Sequence, residues 1–124
     1  MSEQPDSALK VRAVLHEWYG VLQVSGDFCG DARLGVRLRD EMVGLLLPDP
    51  PHLVLDLKGV ASWDDLAIGA VLSTAKRVMT NGGRFVVAGA PAGLLAHFRR
   101  IGLDRMIQCH ETVDQAVEEL GSGR

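Results

Sequence analysis

The residues with the clearest chemical potential form one stretch near the middle of the chain. Residues 56–72 read Asp-Leu-Lys-Gly-Val-Ala-Ser-Trp-Asp-Asp-Leu-Ala-Ile-Gly-Ala-Val-Leu, and a helical pattern begins at about Asp65. A helix N-terminus carries partial positive charge and unpaired backbone N–H groups, which stabilise carboxylates. Capping by Ser62 or Asp64, worth about 0.5–2 kcal/mol, explains one acidic residue here. It does not require a second carboxylate or the adjacent Trp63, so we expect a functional surface at this point.

Asp56 suggests one alternative, the phosphate-accepting aspartate of a response-regulator receiver domain. It stands in a short apolar run at 53–57, which is typical of a strand buried on both faces. A receiver domain also needs an acidic pair after its first strand and a lysine near the end of its fifth. The first strand here ends near His16, and no lysine follows Lys76. The receiver interpretation is therefore not favoured.

Other kinds of chemistry have little support. The four histidines are scattered, and none has a second ligand at metal-binding spacing. The glycine-rich segments lack both the dinucleotide-binding pattern and a Walker lysine. Cys29 and Cys109 lie far apart without CxxC spacing, which predicts reduced thiols. We expect no metal, no cofactor and no catalytic residue, and hence a domain that is not an enzyme.

The composition is typical of one globular domain. The chain has 124 residues, of which 47% are hydrophobic and 23% are charged, with a formal net charge of −3. This balance disfavours binding to nucleic acid or to anionic membranes, which requires clustered basic residues. Residues 1–10 do not resemble a signal peptide, and the aliphatic stretch 45–47 is far below membrane-spanning length. We expect a cytoplasmic protein without direct membrane insertion.

The hydrophobic pattern predicts five strands and four helices in the order β-β-α-β-α-β-α-β-α. Strands are expected at about 9–15, 19–24, 53–57, 84–88 and 106–109, and helices at about 31–46, 65–80, 91–101 and 112–120. Gly26 and Gly59 are expected to end the second and third strands, and Thr112 with Gln115 to form a capping box for the last helix.

An opening hairpin followed by alternating strands and helices predicts an α/β fold. Its sheet should be mixed and mostly parallel, with helices packed against it. No internal repeat or linker divides the chain, so we predict a single domain at 9–120. The flanking segments 1–8 and 121–124 are expected to be flexible tails.

The stretch from Asp56 onward resembles the STAS domains of anti-sigma factor antagonists. The corresponding family segment reads approximately Asp-Leu-Ser-Gly-Val-x-Phe-Ile-Asp-Ser-Ser-Gly-Leu-Gly-x-Leu. The matching positions are Asp56, Leu57, Gly59, Val60, Asp64 and Gly69, with conservative matches at Ile68 and Val71. Residues 24–28 resemble the family's Gly-Glu-Leu-Asp turn, 82–87 its Gly-Gly strand, and 101–104 its Gly-Leu-Asp segment. The resemblance covers about 9–120 and implies a STAS domain that binds a partner protein.

One departure from the family pattern bears directly on function. In the family, a partner anti-sigma kinase phosphorylates the serine after the aspartate, which ends binding between the two proteins. That position here is Asp65. Leu66 replaces the serine that follows it in the family, and Cys29 replaces the last aspartate of the family's turn. An aspartate carries about one negative charge where phosphoserine carries about 1.5–2. Asp65 therefore either imitates the phosphorylated state or only removes the control.

The resemblance also implies a partner and a set of contact residues. We predict partner-binding residues at Asp27, Phe28, Ser62, Trp63, Asp64, Asp65, Leu66 and Gly69. Trp63 is either an interface anchor or a ring packed over the sheet edge. The expected partner is an anti-sigma factor kinase with a histidine-kinase-like ATPase fold, bound by a monomer or weak dimer. The alternative is a scaffold or accessory STAS domain of a stress-signalling or transporter complex, which needs no phosphorylation cycle.

Overall fold

The computed structural model describes residues 8–122. The strands are β1 (Lys10–Leu15), β2 (Tyr19–Phe28), β3 (His52–Trp63), β4 (Phe85–Ala88) and β5 (Gln108–His110). The helices are α1 (Leu34–Gly44), α2 (Asp65–Thr80), α3 (Ala92–Arg100) and α4 (Val113–Gly121), with a 3₁₀ turn at Leu103–Arg105. The predicted order of strands and helices is confirmed. Most of the predicted tails, 1–7 and 123–124, lies outside the described residues, whereas Gly121 belongs to α4.

The five strands form one mixed sheet in the order β1-β2-β3-β4-β5. β1 is antiparallel to β2, and every other neighbouring pair is parallel. The predicted α/β class with an N-terminal hairpin is therefore confirmed. A doubly wound flavodoxin-like sheet has the order 2-1-3-4-5, so this topology also rules out the receiver interpretation of Asp56.

Helices cover both faces of the central strands. Leu53 and Leu55 belong to a large apolar cluster with residues of α1, α2 and α3. Val54 points to the other face, where Ala116 and Leu120 of α4 cover it. All three β3 side chains are fully buried, which explains why the strand reads as an uninterrupted apolar run.

The predicted ends of β2 and β3 are wrong. The chain does not leave β2 at Gly26 or β3 at Gly59, because the two strands stay paired as far as Phe28 and Trp63. The pairing changes register twice, and Gly26 takes a φ of 82° within this irregular stretch. A Cβ on Gly59 would lie only 2.6 Å from the Cβ of Ser25. These glycines therefore permit a close, bulged strand pair, although their sequence pattern resembles a turn.

Several predicted boundaries move by a few residues. α1 begins at Leu34, about one turn later than predicted, and ends at Gly44, so Leu46 lies outside it. α3 ends at Arg100, one residue earlier than predicted, and Ile101 is exposed. The last strand begins at Gln108 because the preceding residues form the 3₁₀ turn. Over residues 8–122, no helix combines the length and apolarity needed to cross a bilayer.

Candidate functional site

Asp64 connects the start of α2 to the loop between β2 and α1. It is the N-cap of α2, and its Oδ1 accepts a hydrogen bond from the backbone N–H of Ala67 at 3.2 Å. Its Oδ2 accepts a second bond, from the backbone N–H of Gly30 at 2.8 Å. Of the two predicted caps, Asp64 is confirmed and Ser62 is not the cap. One carboxylate thus fixes a loop and a helix N-terminus relative to each other.

Ser62 and Asp27 form a second link beneath this point. They face each other across the β2–β3 pair, and the Ser62 hydroxyl donates to Asp27 Oδ1 at 2.7 Å. The Cys29 thiol lies 3.4 Å from the same hydroxyl. The predicted site residues Asp27, Ser62 and Asp64 are therefore brought together at the ends of two adjacent strands.

Sequence reasoning missed Gly30, which holds Asp64 through a backbone N–H. A backbone donor has no side-chain signature, so no residue pattern could have indicated it. Cys29 was seen only as a departure from the family's turn, and its contact with Ser62 depends on the extended strand pair.

The first turn of α2 presents an open surface. Asp65 is exposed, and within residues 8–122 its carboxylate makes no hydrogen bond or ion pair. Leu66 is 43% exposed. One turn further on, Gly69 is exposed as well, and a Cβ built there would meet nothing within 4 Å. We call Asp65, Leu66 and Gly69 the α2 surface, because their spacing sets them on neighbouring positions of one helix.

The two aromatic residues of the predicted site lie lower in the structure. Phe28 is completely buried in the main apolar cluster, so its side chain supports the site from within and does not reach a partner. Trp63 is half-buried against the same cluster. Its ring lies over the start of α3, with Cη2 3.0 Å from where a Cβ on Gly93 would stand. Packing therefore accounts for the position of Trp63, and its use as an interface anchor stays a prediction.

The two cysteines are free thiols in different surroundings. Both are partly buried. Burial and the nearby Asp104 carboxylate raise the pKa of Cys109 to about 11, although Arg99 opposes the shift. Cys109 is therefore protonated near neutral pH, which makes it a poor nucleophile there.

The sheet order and the Asp64-capped helix after the central strand are the features that the comparison with known families can test. The family model for the STAS domain matches residues 9–116. The chain belongs to the STAS domain family, as the sequence resemblance predicted.

Solved structures have the same fold. An anti-sigma factor antagonist from Mycobacterium paratuberculosis aligns with a TM-score of 0.72 and 20% identity, over 95% of this chain and 98% of that one. The antagonist SpoIIAA in its unphosphorylated form aligns at 0.66 and 13%, over 90% and 95%. A sulfate transporter family protein from Wolinella succinogenes aligns at 0.65 and 16%, over 86% and 88%. At these identities the likeness concerns the fold alone.

Proposed function

We propose that this STAS domain is a protein-binding regulator of the anti-sigma factor antagonist type. Its partner is an anti-sigma kinase with a histidine-kinase-like ATPase fold, and the α2 surface is the centre of the contact. The protein acts by binding and not by catalysis, in the cytoplasm. The observation that carries the proposal is the exposed Asp65 carboxylate at the family's serine position.

The fold does not need Asp65, and this supports a role in the control of partner binding. Asp64 already caps α2 and bonds the loop at Gly30. Asp65 adds a further charge at the same helix end, where the helix dipole favours a negative group. Its carboxylate has no partner among residues 8–122 and is available to another protein.

The neighbours of Asp65 support the same surface. Leu66 supplies exposed apolar area next to the charge, as interface centres commonly do. Gly69 leaves the helix backbone uncovered, which lets a partner side chain approach closely. Asp27, Ser62 and Asp64 hold this surface in position through their hydrogen bonds.

The switch of the family is replaced by a fixed charge in this proposal. An aspartate cannot accept phosphate from a serine kinase, so the kinase cannot end the interaction by modifying residue 65. If one negative charge is enough to imitate phosphoserine, wild-type protein binds weakly. If it is not, the protein binds permanently.

The test is calorimetric titration into the anti-sigma kinases encoded by the source organism, with ADP present. Wild type is compared with Asp65→Ser and with the neutral, similarly shaped Asp65→Asn. Asp114→Asn is the matched control, because Asp114 is an exposed carboxylate in the first turn of α4. The control should bind like wild type.

Two results support the proposal and separate its two forms. Imitation of phosphoserine predicts that both Asp65 variants bind at least about tenfold more tightly than wild type, a difference of about 1.4 kcal/mol. Loss of control alone predicts equal binding by all three, with added phosphate on Asp65→Ser only, detected by intact mass after ATP is supplied. Failure of every variant to bind any of the kinases contradicts the proposal.

A scaffold or accessory role is the second candidate. The replacement of serine by Asp65 favours it, because such a role needs no phosphorylation cycle. The fold is shared with a sulfate transporter family protein, so a transporter complex is one setting. Silent titrations followed by co-purification with a permease or a stress-signalling assembly would support this candidate instead.

A further inference from the structure

The segment after the end of α1 contains a residue with an unusual backbone conformation. Leu46 has a φ of 53°, and it is the only non-glycine residue with positive φ among residues 8–122. A bulky side chain in this conformation is strained, because its Cβ crowds the backbone. Leu46 is also 82% exposed. An apolar side chain is thus held away from the core at a backbone position that favours glycine.

A cavity of about 310 Å³ lies between the ends of α1 and α2, and Leu47, the residue after Leu46, lines it. Its walls combine apolar side chains, among them Val43, Leu47 and Val78, with polar groups. Val43 is itself 59% exposed. A projecting aliphatic side chain is therefore followed in sequence by a residue of a recess that is large enough for another such side chain and partly apolar.

Two opposite charges lie on the rim of this cavity. Asp49 and Arg77 both line it and both are exposed. Within the described part of the chain, neither forms an ion pair. The patch therefore offers one available charge of each sign, together with a projection and a recess.

We propose that this patch binds a second copy of the same chain around a two-fold axis. A two-fold contact requires a surface that complements itself. Here Leu46 of each copy enters the cavity of the other, and Asp49 of each copy pairs with Arg77 of the other. We call Leu46, Asp49, Arg77 and the cavity the Leu46 surface.

The contact leaves the proposed kinase-binding surface free. Arg77 follows Asp65 by twelve positions in α2, which corresponds to about 18 Å along the helix axis. The dimer would therefore present two free α2 surfaces. Formation of the dimer does not require the proposed kinase partner.

Sedimentation equilibrium of the full chain tests the self-association. We expect a reversible dimer with a dissociation constant of about 10 μM to 1 mM. Leu46→Ala and Leu46→Gly should each weaken it at least about tenfold, as loss of a central contact does. Met106→Ala is the control, because Met106 is 66% exposed and does not line the cavity.

Charge reversal gives a second, stricter test. Asp49→Arg alone and Arg77→Asp alone should each be monomeric, since either homodimer would hold two like-charged pairs. A mixture of the two variants should form a heterodimer, because both pairs then have opposite charges. Circular dichroism establishes that each variant is folded.

Two results would overturn the inference. One is a wild-type protein that stays monomeric up to about 1 mM. The other is a dimer that neither the Leu46 variants nor the charge reversals affect. Titrations with the kinase are read separately, so failure here leaves the proposed function standing.

Discussion

The start of α2 and the end of α1 are held in opposite ways. At the start of α2, Asp64 uses both carboxylate oxygens and connects two segments that are 34 residues apart in sequence. Just after the end of α1, Leu46 has a strained backbone and an exposed side chain. The start of α1 also lacks a side-chain cap hydrogen bond. In the first region, both carboxylate oxygens of Asp64 are hydrogen-bonded, whereas in the second region Leu46 is both strained and exposed.

The two regions illustrate two ways in which a small domain can hold a surface in position: by hydrogen bonds and by backbone strain. Hydrogen bonds to a charged acceptor fix direction, so Asp64 determines where the first turn of α2 points. Backbone strain instead holds an apolar group outside the core, at some cost in stability. Substitutions that act on one region and not on the other can test this comparison.

The largest expected effect comes from the buried support of the first region. Phe28→Ala should lower the free energy of unfolding by about 3–5 kcal/mol, because it leaves a cavity in a fully buried cluster. Phe28→Leu, measured in parallel by urea denaturation, should cost less than about 1.5 kcal/mol. A cost below about 0.5 kcal/mol for Phe28→Ala would mean that Phe28 is a surface residue after all.

Removal of the connecting carboxylate should have the next largest effect. Asp64→Ala loses the cap and the bond to Gly30, so we expect about 2 kcal/mol of destabilisation by urea denaturation. The neighbouring Asp65→Ala is the control. It should cost less than about 1 kcal/mol, because it removes only the favourable interaction of the carboxylate with the helix dipole. Equal costs at the two positions would contradict the connecting role of Asp64.

The second region should respond in the opposite direction. Leu46→Gly removes the strain of a positive φ, worth about 1–2 kcal/mol, and adds the chain entropy of glycine, about 0.5–1 kcal/mol. We expect a net gain of about 0.5–1 kcal/mol when unfolding is measured at low protein concentration. Leu46→Ala keeps the strain and should show no such gain; if it gains as much, strain is not the cause.

An effect no larger than that of Leu46→Gly is expected on the α2 surface itself. Gly69→Ala should stabilise the domain by about 0.5–1 kcal/mol, because alanine is the better helix former and its Cβ meets nothing. The same variant should bind the proposed kinase partner more weakly, since the methyl group would occupy space at the proposed contact. Thermal unfolding and calorimetry on one preparation would show both; unchanged affinity would remove Gly69 from the contact.

The element order and the class of fold were predictable because each element has its own local signal. α2 matches its predicted range from Asp65 to Thr80, since an acidic start, an apolar face and a following Asn-Gly-Gly all agree. The buried strand β3 was recognised from Leu53 to Leu57, where burial on both faces removes polar residues.

The site was only partly predictable because its bonds cross between elements. Gly26 and Gly59 look like turn residues, and only the pairing of β2 with β3 shows that both lie inside strands. Without that pairing, Ser62 appears to be a helix cap and not the partner of Asp27. Phe28 was predicted to contact a partner, but it is fully buried. This burial comes from tertiary packing, which no local pattern encodes.

The long separation between Gly30 and Asp64 has a consequence for how the proposed kinase-binding surface forms. A contact across 34 residues closes a large loop, which costs conformational entropy as the chain folds. During synthesis, a ribosome-bound chain that has emerged only as far as α1 has no anchored loop for a partner to recognise. A synthetic peptide that spans only the start of α2 would lack it as well, so the proposed kinase contact would require the folded domain.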